Sequence, residues 1–197
     1  MRTVSPLGPR TLTGQFVALE PLDHTHDAAL SALAADPSLW THVPFDPEGG
    51  FPAKLAELRR AMAAGTQLVF VVRRLADGAL VGSTSYMALS PENARVEIGC
   101  TWYTAAAQGT AVNPEAKLLL LENAFAAGYH RVELKTDARN ARSRAAILKL
   151  GAREEGTLRG HVWMPQGRFR DTVYFSILAD EWPAVRERLE RRLSAYS

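Results

Sequence analysis

Residues 107 to 116 read Ala-Gln-Gly-Thr-Ala-Val-Asn-Pro-Glu-Ala, a small-residue turn that runs straight into a helix start. The stretch before it, Val96-Glu97-Ile98-Gly99-Cys100-Thr101-Trp102-Tyr103, reads as a strand. Strand, tight turn and helix in that order belong to α/β folds, several of which hold a nucleotide-bearing cofactor at such a junction. Gly109 and Ala111 carry little or no side chain, so main-chain N–H groups there can approach a ligand closely. Asn113 suits an N-cap, and Pro114 suits the first helical position, where a missing N–H costs nothing. The unpaired donors and partial positive charge of a helix N-terminus suit a pyrophosphate. Because Pro114 has no N–H, the donors must come from the turn itself. The turn is neither a P-loop, which ends in Gly-Lys-Ser/Thr, nor the three-glycine dinucleotide fingerprint. On these residues alone an ordinary strand-to-helix connection remains an equal alternative.

Periodicity and chain breakers organise the rest. Thr11 to Glu20 forms a first predicted strand that ends at Pro21. Residues 24 to 35 and 51 to 64 carry helical spacing, separated by the irregular segment Pro44 to Gly50. Gln67 to Arg74 is a second strand, and Asp77-Gly78 turns it into Leu80 to Met87, an antiparallel hairpin. Arg95 to Tyr103 is the fourth strand, followed by a helix from Pro114 to about Ala127 that Gly128 stops. Its Leu118-Leu119-Leu120-Leu121 run is apolar nearly all round, as suits a helix packed deep against a sheet. Arg131 to Thr136 is a fifth strand, and Ser143 to Leu150 a short helix closed by Gly151. Glu154 to Trp163 and Phe169 to Leu178 make a final hairpin, and a last helix starts near Asp180. No repeat, linker or low-complexity stretch interrupts this order, so one α/β (α+β) domain over 1–197, with its core at about 12–193, is the economical reading.

With 47% apolar and 22% charged residues, the 197-residue chain has an ordinary globular composition and is large enough for a full core. No apolar run reaches the roughly 18 residues a membrane span needs. The N-terminal Met1-Arg2-Thr3-Val4-Ser5-Pro6-Leu7-Gly8-Pro9 has no apolar signal core. The expectation is therefore a cytoplasmic protein with no membrane partner. Net charge is only +2, and arginines alternate with acids in Arg186-Glu187-Arg188-Leu189-Glu190-Arg191-Arg192, the pattern of a solvated helix face. No nucleic-acid partner is expected from it. Cys100 is the only cysteine, which excludes an internal disulfide and a multi-cysteine zinc site, and its apolar strand context predicts a core position. His24 and His26 do not share a helix face and lack a third ligand at suitable spacing, so no metal is expected. Serine-hydrolase and protein-kinase motifs are absent.

Taken together, the order of elements and motifs resembles the GCN5-related N-acetyltransferase (GNAT) family and, within it, the RimJ/RimL-like ribosomal-protein acetyltransferase branch. The resemblance runs from about Leu12 to Leu193. It rests on Phe16-Val17-Ala18-Leu19-Glu20-Pro21-Leu22, Glu97-Ile98-Gly99 and Gln108-Gly109-Thr110-Ala111. Asn140-Ala141-Arg142-Ser143, Lys149-Leu150-Gly151-Ala152 and Arg170-Asp171-Thr172 complete it. The family implies a mixed, mostly antiparallel central sheet of about six to seven strands flanked by helices, with the fourth and fifth strands splayed for acetyl-CoA. Several positions depart from the family pattern. The cofactor loop begins with Ala106 where Arg or Gln is usual, and its second Gly is Ala111. A Tyr that many members use to protonate the departing sulfur is Ile147 here, and a carboxylate proposed as catalytic in the RimL-like branch aligns near Val162.

The resemblance also implies roles. Pantetheine would lie between the splayed strands against the main chain of Trp102 and Tyr103, with pyrophosphate on the segment Gln108, Gly109, Thr110, Ala111, Val112 and Asn113. Glu97 is the general-base candidate, directly or through water, and its alternative is a structural carboxylate paired with an arginine. Ser143 is the candidate donor to the leaving sulfur and a cofactor contact, and its alternative is an N-cap. Asn140 would fix the loop and touch the pantetheine. Trp40, His42, His161, Trp163 and Arg168 fall on the acceptor side, where packing or surface roles compete with ligand contact. The expected partners are acetyl-CoA and an amine acceptor, either a protein N-terminus or a small molecule, with a homodimer compatible. A non-catalytic acyl-CoA-binding module is the alternative function.

Overall fold

The computed structural model describes residues 4–45 and 50–196. Its framework is one eight-stranded sheet in the order β1-β2-β3-β4-β5-β6-β8-β7. The strands are β1 (Leu12–Thr13), β2 (Val17–Pro21), β3 (Gln67–Arg74), β4 (Leu80–Ser90), β5 (Arg95–Tyr103), β6 (Arg131–Asp137), β7 (Arg153–Met164) and β8 (Arg168–Leu178). Only β5 and β6 run parallel; every other neighbouring pair is antiparallel. The helices are α1 (Asp27–Leu33), α2 (Gly50–Ala63), α3 (Val112–Ala126), α4 (Ala141–Leu150) and α5 (Trp182–Ser194).

Side-chain alternation on β3 explains why both faces of the sheet are covered. Leu68, Phe70 and Val72 enter one core with α3 and α5, whereas Val69 and Val71 enter a second core with Leu30 of α1 and Phe51, Leu55 and Leu58 of α2. A strand buried on both faces must read as an unbroken apolar run, as Leu68 to Val72 does. On α5 the stripe Val185, Leu189 and Leu193 is buried, while the intervening charges pair four residues apart, Arg186 with Glu190 and Arg191 with Glu187. No helix among the described residues is long and apolar enough to cross a membrane.

Several sequence expectations shift. The first predicted strand, Thr11 to Glu20, is a hairpin: Gly14 N–H donates to the Val17 carbonyl at 2.9 Å, and β1 and β2 fold onto each other. That hairpin raises the strand count to eight and makes the predicted fourth and fifth strands β5 and β6. The helical stretch 24–35 opens as a 3-10 turn, His24–His26, before α1. Within the predicted irregular segment Pro44 to Gly50, residues 46–49 lie outside the described residues. Helix α3 begins at Val112 with Ala111 as N-cap, so Asn113 is not the cap. Ahead of the cap, the Thr110 hydroxyl accepts from Val112 N–H at 3.3 Å. Pro114 then falls within the first turn, where a missing N–H still breaks no helical bond.

Candidate active site

The turn before α3 is shaped by its own polar groups. Thr110 Oγ1 donates to the Ala107 carbonyl at 2.7 Å while accepting from Val112. Gly109 adopts φ +76°, and a Cβ built there meets no atom within 4 Å. The main chain at Gly109 therefore borders open space, and a side chain would project into it. Ala111 and Val112 bury their side chains, leaving only their backbone toward the turn, and Asn113 is half-buried. Gln108 bridges two elements: its Nε2 donates to the Tyr103 carbonyl at 2.9 Å, and its Oε1 accepts from Arg142 of α4. A separate concavity of about 370 Å³ lies where the turn meets Gln15 and Phe16 of the first hairpin and Arg74 of β3; no residue of β5 or β6 lines it.

Beside the turn, two parallel strands part company. β5 and β6 pair only through Arg95–Arg131, Val96–Val132 and Glu97–Glu133. Among the described residues no strand pairs with the β6-facing edge of β5 from Ile98 to Tyr103, and such an edge can take an extended ligand as a pseudo-strand. A bulge sharpens the divergence. Ser85 pairs with Gly99 and Ser83 with Trp102, so Cys100 and Thr101 together oppose Thr84, and Cys100 takes φ +47°. The predicted core position of Cys100 is thereby overturned, for the residue is exposed. Beneath the bulge, Lys117 of α3 is buried and donates to Thr101 Oγ1 at 2.7 Å and Thr84 Oγ1 at 3.4 Å. Burial without a counter-charge pushes the Lys117 amine down to about 7.

Glu97 sits at the apex of the divergence, 3% exposed, with Lys135 of β6 at 2.9 Å. Its partner is thus a lysine, not an arginine. Burial works against the Lys135 charge, but the Glu97 carboxylate outweighs it and raises the amine above its ordinary value. Lys135 also lies 5.9 Å from the ring centroid of Tyr174, which packs on His161.

At the carboxyl end of β6 a second cluster forms. The Asp137 carboxylate is fully buried and accepts from Arg139 N–H at 2.9 Å, from Arg168 Nη2, and from His42 Nδ1 at 3.3 Å. Burial opposes its charge, but those bonds prevail and hold its carboxyl below the usual aspartate value. Asn140 follows directly: its N–H donates to the Asp137 carbonyl at 2.9 Å, and its side-chain oxygen caps α4 by accepting from Ser143 N–H at 3.0 Å. Asn140, not Ser143, is therefore the N-cap. Ser143 contributes only its backbone to that cap.

The remaining acceptor-side candidates divide. Trp40 is buried, donates from Nε1 to the Ala34 carbonyl at 2.9 Å and packs against Phe45, Phe51 and Trp102 with centroids 4.6, 5.7 and 5.4 Å away. Arg168 and His42 meet at Asp137, as described. His161 and Trp163 are exposed on β7, and Trp163 touches the equally exposed Phe169 across the hairpin, one register step from Arg168. Sequence reasoning missed Lys117, Lys135, Asp137 and the buried Arg170. A charged residue inside a helix that is apolar nearly all round signals burial, and Asp three residues before an Asn N-cap signals a structured turn.

Parting strands, a glycine turn and a helix N-terminus follow one another at the end of β5, as the resemblance to the acetyltransferase family implies. Comparison with known proteins agrees. The family model described as an acetyltransferase (GNAT) domain matches residues 17–153, more than half of the chain. A GCN5-related N-acetyltransferase from Brucella melitensis shares 28% identity over 98% of this chain and 89% of its own, with a TM-score of 0.90. A probable GNAT-family acetyltransferase from Chromobacterium violaceum shares 35% over 93% of each chain, with a TM-score of 0.85. Mycobacterium smegmatis RimJ, solved in complex with CoA-disulfide, shares 27% over 93% of this chain and 95% of its own, with a TM-score of 0.80. No curated protein matches the chain. By the family match and the shared architecture, the chain belongs to the GNAT acetyltransferases, a family that transfers acyl groups from acetyl-CoA.

Proposed function

We propose that the protein is an acetyl-CoA-dependent N-acetyltransferase acting on a primary amine, with an α-amine as the favoured acceptor class. The observation that carries this reading is the parting of β5 and β6 beyond Glu97, next to the Gly109 turn. Acetyl-CoA supplies an acyl group activated as a thioester. The unpaired edge of β5 near Trp102 and Tyr103 suits its pantetheine amides, and the backbone from Gln108 to Asn113 suits its pyrophosphate. Gly109 supports the fit, because a Cβ there would occupy the space a phosphate needs. By the family resemblance an amide of β5 would polarise the thioester oxygen, a modest oxyanion-hole effect. Glu97, held by Lys135, braces the apex between the strands.

The acceptor class follows from proton chemistry. At pH 7 an α-amine is already about 10–20% neutral, whereas a lysine side-chain amine is less than about 0.1% neutral. A site whose most buried carboxylates, Glu97 and Asp137, are engaged with cations or an imidazole suits the amine that needs less help. The resemblance to the RimJ/RimL-like ribosomal-protein acetyltransferase branch supports a protein N-terminus, and a small-molecule amine is the other form of the same class. The cytoplasm and the absence of metal and nucleic-acid partners remain part of the proposal.

Release of free thiol on mixing with acetyl-CoA and a panel of amines tests the reading. Acetyl-CoA binding without turnover on any amine points to a non-catalytic binding module instead. Gly109→Leu is expected to abolish acetyl-CoA binding in a folded protein, and unchanged affinity by calorimetry rejects the turn as the cofactor site. Ser143 is the hydroxyl that the family resemblance assigns as donor to the leaving sulfur, since Ile147 stands where a Tyr is common. Ser143→Ala is expected to lower kcat by at least about tenfold at unchanged acetyl-CoA affinity, the pattern of an interaction made in the transition state. Because Asn140 provides the cap, the unfolding midpoint should not move. An intact kcat removes Ser143 from the chemistry.

A further inference from the structure

We propose that His42 is the general base for the acceptor amine, with Asp137 as its positioning residue, and this rests on the N-acetyltransferase reading. The loop that carries His42 crosses the open end of the divergence. Trp40 packs on Trp102 at the end of β5, and two residues later His42 reaches Asp137 at the end of β6. The same loop is pinned from β8, where the buried Arg170 donates from Nη1 to the His42 carbonyl at 3.4 Å and from Nε to Thr172 at 3.1 Å. Asp137 links this imidazole to the start of α4, since its carbonyl accepts from Asn140, whose side chain in turn binds Ser143 N–H. His42 and the start of α4 are thus tied to one residue, Asp137.

The tautomer follows from the partner. An ionised carboxylate can only accept, so Nδ1 of His42 must carry the hydrogen that bonds Asp137. A neutral ring then presents Nε2 as a lone pair, and the His42 side chain is 31% exposed, open to an incoming acceptor. The charged groups facing it are Asp137 from β6 and Arg168 and Arg170 from β8. Arg168 also binds the Asp137 carboxylate and keeps it in its charged, accepting form. Glu97 is already engaged with Lys135, whereas the His42 imidazole, among the described residues, keeps Nε2 as an acceptor. In the transfer the amine nitrogen bonds the acyl carbon and the carbon–sulfur bond breaks with its electron pair on sulfur. The surplus proton on nitrogen passes to His42 Nε2 and on to solvent, and the departing thiolate, hydrogen-bonded by the Ser143 hydroxyl, takes its proton from solvent.

Two measurements test this. Long-range proton–nitrogen NMR at pH 8, with the His42 signal identified by its loss in His42→Gln, should show hydrogen on Nδ1 and none on Nε2. The opposite tautomer overturns the proposal. Turnover of acetyl-CoA with an alanyl tripeptide amide should fall by about a hundredfold or more in His42→Gln. The acetyl-CoA KM should stay within about twofold, and the acid limb of the kcat profile between about pH 5 and 8 should disappear. Added imidazole should restore part of the lost rate. Equal kcat and equal pH profiles for the two proteins reject His42 as base while leaving the enzyme reading intact. Wild-type protein that transfers nothing to any amine counts against that reading instead, and the tautomer then decides the pairing alone.

Discussion

Glu115→Ala is expected to lower stability by about 4–5 kcal/mol, among the largest effects a single substitution produces. Glu115 is 4% exposed in the first turn of α3, and its carboxylate is the anchor of the first hairpin. Oε1 accepts from Gln15 N–H at 2.7 Å, and Oε2 accepts from Phe16 N–H at 2.6 Å and Val17 N–H at 2.7 Å. Removing it strands three donors at once, where each bond to a charged acceptor contributes about 1.5–3 kcal/mol. Gly14 shows how tightly the chain wraps the group, for a Cβ there would lie 2.4 Å from the Glu115 carboxyl carbon. For a chain of this length the loss corresponds to a fall of about 10–15 °C in Tm. Glu115→Gln should also be costly despite its matching shape, because an amide offers one oxygen where two are used. A midpoint within about 2 °C of wild type for either variant overturns this account.

Lys117→Met is expected to do the opposite and raise stability at pH 7 by ~1–3 kcal/mol. In the folded protein the amine is pushed down to about 7, whereas in the unfolded chain it titrates near the ordinary lysine value of about 10.4. The folded state therefore binds fewer protons, and stability rises with pH between those two values. The penalty is fully present below about pH 7 and fades as pH climbs toward 10. Between pH 7 and 9 the group alone should add about 2 kcal/mol to wild-type stability. Methionine fills a similar volume with no charge to desolvate, and Thr84 and Thr101 still bond each other at 2.7 Å. The variant should thus be more stable at pH 7 and lack the gain toward pH 9. Denaturant unfolding at both pH values checks it, and a less stable variant with an unaltered pH slope rejects the neutral-amine picture.

The parts of the fold that were legible in the sequence are those fixed by local chemistry. β5 was read at its observed bounds, and α4 was stopped correctly by Gly151. Long-range contacts account for the differences. Nothing near Gly14 announces that a carboxylate a hundred residues away turns the first strand into a hairpin. The start of α3 was misplaced because Asn113 and Pro114 are residue types that favour a helix start, whereas the turn geometry puts the N-cap earlier, at Ala111. For the candidate site, the glycine turn was visible, being contiguous in sequence. The meeting of His42, Asp137 and Arg168 was not, since it joins a loop and two strands that only the sheet order brings together.

The bulge at Cys100 makes β5 two strands out of phase with each other. Ile98 and Tyr103 face the same core although an odd number of steps separates them, and Trp102 is thereby turned to the α2 side. A single extra residue acts as a switch of parity for everything after it. The half of β5 that pairs with β6 and the half that borders the opening can therefore carry unrelated side-chain patterns. Core packing and acceptor choice are decoupled along one continuous strand, so the opening can be altered by substitution while the apex stays fixed.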